Sequence, residues 1–204
     1  MVSKLRKEDE KCANIVADLL DKHLYCQVTN FERCYDVQRQ VSGIDTLFTY
    51  NEKTYLCDEK AAIRYVNKNL QTFSLELSFI NRRNEVQDGW LIDDKKVNNA
   101  FLFVWIDKSD KDIISSVDDV REIEVALVDK SKILSFLERL GWTEEKMLDK
   151  AQKMRENESE YGGNVYKHGC KFVCSRFLVE QPVNVLISRE DLKKISDWTV
   201  KFDL

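Results

Sequence analysis

Glycine and proline are scarce in this chain, with six and one in 204 residues. No GxxxxGK[ST], GxGxxG or GxSxG occurs, so nucleotide-cradling loops and a hydrolase elbow have no support. The single proline, Pro182, leaves no hinged linker, and no repeat or low-complexity segment is present. Histidine is scarce as well. With only His23 and His168, histidine-metal or histidine-base chemistry fits poorly. No apolar run approaches the roughly 18 residues needed to cross a bilayer, and the first twenty residues lack the apolar core of a signal peptide. The expectation is a soluble, cytoplasmic protein. Six cysteines without a CxxC pair read as reduced thiols, mostly in the core. His168, Cys170 and Cys174 invite a zinc reading, but a structural site needs four ligands and only a distant residue supplies the fourth.

What the chain does have is apolar material. Hydrophobic residues make up 43%, with ten Phe, seven Tyr and four Trp, enough to form one sizeable core and offset ordering entropy. Length argues for a single domain over residues 1–204. The net charge of −4 weighs mildly against a protein that coats nucleic acid, although "YVNKNLQ", "NRRN" and "EEKMLDKAQKMRE" would supply a locally basic groove. Trp90, Trp105 and Trp142 read either as core or as surfaces on which bases stack.

Hydrophobic spacing orders these residues into elements. Ala13, Val16, Ala17, Leu20 and Leu24 predict an amphipathic helix over about Glu8 to Gln27. "FERCYDVQRQVSG" fits a short helix or an extended entry to the sheet. Strands are predicted at "IDTLFTY", "TYLCDEK", "QTFSLELSFI", "AFLFVWI", "EIEVALV", "CKFVCSRFLV" and "VNVLIS". The run Ala100 to Ile106 should be buried on both faces. Helices follow at "SKILSFLERLG", with Ser131 as N-cap and Gly141 as stop, from Thr143 onward, and at "SREDLKKISDW", where Ser188 and Asp191 are spaced as a capping box. Strands framed by helices give an α/β or α+β fold.

The chemistry gathers between Gly43 and Tyr65. If Ile44 to Tyr50 and Lys53 to Lys60 pair through a two-residue loop at Asn51 and Glu52, paired positions place Asp45 opposite Asp58, with β-carbons about 4.5 to 5.5 Å apart. Lys60 shares the face of Asp58, and Glu59 points to the other. Two carboxylates so close repel by about 3 kcal/mol at an effective dielectric of about 20. A shared proton or a cation relieves this. Mg²⁺ suits Asp45, Asp58 and the main-chain carbonyl of Glu59, with Lys60 beside them to position or activate water, a set suited to phosphodiester hydrolysis. A three-residue loop would turn Asp58 away.

"GID", twelve residues, then "DEK" resembles the PD-(D/E)XK nuclease superfamily, whose pattern is an acid opening one strand and acid-any-lysine closing the next. Asp45 matches the first acid, Asp58 the second and Lys60 the lysine, while Ile44 stands in place of the proline. "DVQRQVSGID", "QTFSLEL" and "GWL" at Gly89 to Leu91 are similar to segments of some members. The likeness spans about Glu32 to Trp105, with helical and strand additions over 106–204. It implies a restriction-endonuclease-like mixed sheet flanked by helices, Mg²⁺ or Mn²⁺ as cofactor, and DNA as the nucleic-acid partner. It also implies an auxiliary acid, Asp36 first and Glu32 second.

Softer candidates surround this set. Gln40 and Gln71 are either active-site donors or plain polar residues, and Glu76 is either a peripheral ligand or a solvated strand residue. Asp45, Asp58 and Lys60 themselves have a plainer alternative, an ordinary Asp–Lys pair on a surface hairpin. The competing function is a non-catalytic binding protein that retains the nuclease fold.

Overall fold

The computed structural model describes residues 4–156 and 169–204. It is a mixed α/β structure with two sheets and, among the described residues, five α-helices. His168 lies outside the described residues. The chain divides into two compact units. One comprises Met1–Leu70, Asn98–Val128 and Ser196–Leu204, the other Gln71–Val97 and Asp129–Ile195.

The first unit is built on a six-stranded mixed sheet. Its strands are β1 (Thr29–Arg33), β2 (Thr46–Tyr50), β3 (Lys53–Ala61), β6 (Ala100–Ser109), β7 (Val120–Asp129) and β10 (Trp198–Asp203), in that spatial order. β1, β2 and β3 run antiparallel in turn, β3 and β6 are parallel, and β7 and β10 are antiparallel. Helix α1 (Lys4–His23) covers one face: Cys12, Ile15, Val16, Leu19 and Leu20 pack with Phe48, Tyr55, Cys57, Leu102, Val104, Ile123 and Val125. The helix starts about four residues before its apolar spacing predicts and ends at His23, because residues Tyr25–Gln27 form a single 3₁₀ turn. The ambiguous segment after Asn30 holds both predicted alternatives in succession, β1 and then the short helix α2 (Val37–Val41).

Residues 100–106 are buried throughout, as a continuously apolar run requires. β7 reads as weakly alternating in sequence, yet Glu122 and Glu124 are also buried. Glu122 is tolerated because Lys108 and Lys201 each approach its carboxylate at 2.8 Å. β10 corrects the predicted closing helix. That helix stops at Ile195, and Trp198, Val200 and Phe202 then alternate onto the core as a strand.

The second unit holds a four-stranded antiparallel sheet, β5 (Val86–Asp88), β4 (Thr72–Ile80), β9 (Val183–Ser188) and β8 (Cys170–Cys174), with α3 (Lys130–Arg139), α4 (Glu144–Glu156) and α5 (Arg189–Ile195). Asp129, not Ser131, caps α3, accepting the Ser131 N–H at 2.7 Å. Gly141 stops the helix at φ +88°. The Ser188–Asp191 box is formed: the Asp191 N–H donates to Ser188 Oγ at 3.0 Å and that hydroxyl to Asp191 Oδ2 at 2.7 Å.

Candidate active site

The β2–β3 hairpin closes through Asn51 and Glu52, both at positive φ (47° and 64°), the backbone of a tight two-residue turn. The ladder pairs Tyr50 with Lys53, Thr49 with Thr54, Phe48 with Tyr55, Leu47 with Leu56 and Thr46 with Cys57. This is the register that a two-residue loop predicts. Period two then sends Tyr55, Cys57 and Ala61 toward the α1 core, while Asp58 and Lys60 share the opposite face. There Asp58 pairs with Phe101 and Lys60 with Phe103 across the parallel β3–β6 ladder. Both phenylalanines are buried, their ring centroids 6.1 Å apart, and Trp105 continues the row.

Asp45 does not form a ladder pair with Asp58. It occupies the bend just before β2, where its N–H donates to the Cys57 carbonyl at 2.9 Å and its carbonyl accepts the Cys34 N–H at 2.8 Å. Its Oδ2 accepts the Glu59 N–H at 2.8 Å. From there its charge acts on the Asp58 carboxyl. Lys60 Nζ stands 2.6 Å from Asp58 Oδ1. Burial pushes the Asp58 carboxyl up to about 6, against the pull of Lys60, and the Asp45 carboxylate adds to the rise. The predicted trio is therefore assembled at one end of the hairpin.

Glu59 turns its side chain to the α1 face. Its carboxylate accepts the Tyr25 hydroxyl at 2.5 Å and two guanidinium N–H groups of Arg33, at 3.0 and 3.1 Å. Burial raises the Glu59 carboxyl, opposed by Arg33 and Tyr25. Arg33 is forked onward to Asp21 of α1, with NH2 and Nε at 2.5 and 2.9 Å from Oδ1. Tyr25 also reaches Thr46 Oγ1 at 3.1 Å.

The softer candidates are placed elsewhere. Asp36 is exposed and caps α2 through the Arg39 N–H at 2.9 Å. Glu32, also exposed, pairs with Arg39 at 2.8 Å, and Gln40 donates to the Cys34 carbonyl at 3.1 Å. Glu76 belongs to β4 in the second unit, where its charge acts on Arg155. Sequence reasoning missed Asp21, Tyr25, Arg33 and Thr46. One signal was present for Asp21: it falls four residues after Ala17 and three before Leu24, an acid set into the apolar stripe that the sequence predicts.

Among the described residues, no three or more His, Cys, Asp or Glu side chains are grouped to hold a metal ion. Two carboxylates do meet the ordinary protein share of a Mg²⁺ site, since that ion keeps several waters and takes further oxygens from a phosphate substrate. Asp45 and Asp58 fit that share. Comparison with models of known families, with curated proteins and with solved structures finds no match to this chain. Among the described residues, no helix is long and apolar enough to cross a membrane.

Proposed function

We propose that this chain is a Mg²⁺-dependent nuclease of the PD-(D/E)XK type that hydrolyses DNA phosphodiester bonds. The observation that carries the reading is the meeting of Asp45, Asp58 and Lys60 at the end of the β2–β3 hairpin, with Lys60 2.6 Å from Asp58. The topology supports it further: antiparallel β1, β2 and β3 followed by a parallel β6, with α1 on one face, suits a restriction-endonuclease-like core. Asp45 and Asp58 would hold the cation, with the main-chain carbonyl of Glu59 as the third donor first inferred from the sequence. The cation, once bound, neutralises charge that builds on the phosphoryl oxygens. Lys60, 2.6 Å from Asp58 Oδ1, would orient the attacking water or hold its proton. Burial of Asp58 on the face it shares with Phe101 and Phe103 strengthens its interactions by limiting water.

A second reading is a non-catalytic binding protein with the same fold. It is favoured by the existing Asp58–Lys60 ion pair, which already satisfies one carboxylate, and by the exposed, otherwise engaged positions of Asp36 and Glu32. The deciding experiment is the melting temperature of chelator-treated protein with and without Mn²⁺, on wild type and Asp45→Ala. Saturation at about 100 times Kd adds about 2.7 kcal/mol to wild type. A rise that vanishes in the variant, with DNA cleavage abolished in Asp58→Ala, supports the nuclease. No rise in wild type favours the non-catalytic protein.

A further inference from the structure

The residue between the two halves of the Asp-x-Lys pattern is tied through both its backbone and its side chain. The Glu59 N–H is held by the Asp45 carboxylate at 2.8 Å. The Glu59 carboxylate takes the Tyr25 hydroxyl and a forked pair of bonds from Arg33. Arg33 is fixed in turn. It bonds Asp21 through Nε and NH2, lies over the Tyr25 and Phe31 rings at 5.7 and 6.0 Å, and has its own backbone paired with Thr46 in the β1–β2 ladder. The next residue, Cys34, donates its N–H to the Asp45 carbonyl at 2.8 Å. Four elements are thus pinned around one dipeptide step: α1 through Asp21, β1 through Arg33, β2 through Thr46 and β3 through Glu59.

Hairpin pairing alone does not provide this, because the β2–β3 ladder ends at Thr46 and Cys57, one pair short of Asp45 and Asp58. Beyond that point the strands are joined by one backbone bond, from the Asp45 N–H to the Cys57 carbonyl at 2.9 Å, and the placing of the two carboxyls also depends on side-chain bonds. We propose that Arg33 and Tyr25, acting through Glu59, are positioning residues that set the Asp45 carboxylate at the distance from Asp58 at which a divalent cation is held. The proposal rests on the metal-dependent reading above. Arginine is required for it, since a planar fork reaches Glu59 and Asp21 together and a lysine reaches only one with defined geometry.

The test is Mn²⁺ affinity by titration calorimetry on wild type, Tyr25→Phe, Arg33→Lys and, as a control, Arg64→Lys, which alters an exposed pair with Asp9. Melting temperatures of the metal-free proteins are taken alongside. Partners that orient metal ligands typically change affinity 10–100-fold when mutated. Tyr25→Phe and Arg33→Lys are expected to weaken Mn²⁺ binding about tenfold or more, with Arg64→Lys within about twofold of wild type. Wild-type Kd retained in Tyr25→Phe and Arg33→Lys, with only the melting temperature lowered, overturns the positioning role and leaves the nuclease reading standing. No Mn²⁺ binding by wild type overturns both. Should Arg33→Lys fail to fold, Tyr25→Phe decides, because it removes one hydroxyl and no charge.

Discussion

Asp58 is a carboxyl kept from water, and its protonation should be readable in stability. Its folded value of about 6 lies above the ordinary 3.8, so the folded chain keeps a proton that the unfolded chain has already released. The resulting stabilisation is complete below about pH 4 and disappears as pH rises through 6, by up to about 3 kcal/mol for a shift of this size. Asp58→Asn carries no such proton. Its stability relative to wild type, from urea midpoints in metal-free buffer, should therefore improve between pH 4 and pH 7. A difference that stays constant over that window would mean that Asp58 is solvated in the folded chain. The Tyr25 hydroxyl, held well above its ordinary value by burial and by Glu59, remains a donor throughout this range.

The β2–β3 hairpin shows how far a local rule reaches. Its turn puts Glu52 at φ 64°, a conformation that costs a side-chain-bearing residue roughly 1 kcal/mol and glycine almost nothing. Glu52→Gly is expected to stabilise the protein by about 1 kcal/mol, seen as a higher melting temperature with the register unchanged; a lower one would show that the Glu52 side chain matters more than its backbone. In the second unit, a β-carbon on Gly89 would lie 2.4 Å from the Glu76 carbonyl oxygen, so Gly89→Ala should destabilise by about 1–3 kcal/mol. Wild-type stability in that variant would mean that the backbone yields there. The hairpin was legible because turn length and period two together fix which side chains share a face. The placement of Asp58 and Lys60 followed from that alone. The Arg33 network was not legible, because it joins α1, β1 and β3 by contacts that no spacing encodes. Nor was the burial of Glu122, which depends on lysines supplied by two other strands. Trp198, Val200 and Phe202 did carry a strand's alternation, but the capping box at Ser188 drew the helix prediction past Ile195.

On the scale of the molecule, β10 completes the six-stranded sheet, pairing with β7 from Trp198↔Leu127 to Asp203↔Glu122. Trp198 also stacks on Tyr50 with centroids 4.4 Å apart. Deleting Trp198–Asp203 should leave β7 with an unpaired apolar edge, and the expected result is an aggregating product, detected by light scattering and loss of the cooperative melt. A soluble, cooperatively melting deletion would show that five strands suffice. The same sheet has an excursion whose ends meet: β7 leaves it, and the Asp197 N–H returns to the Leu127 carbonyl at 2.8 Å. A second excursion, Gln71–Val97, departs between β3 and β6, and the two are stitched together by the β4–β9 ladder. Neither is a removable insertion, since cutting out one takes away the other's partner strand. This topology also sets a tempo. Thr72 must find Ser188, and Leu127 must find Trp198, before either sheet is whole. Such distant pairings meet their loop-closure entropy before any contact rewards it, so refolding from denaturant should take milliseconds to seconds, and nascent chains should depend on protection until their last strand is in place.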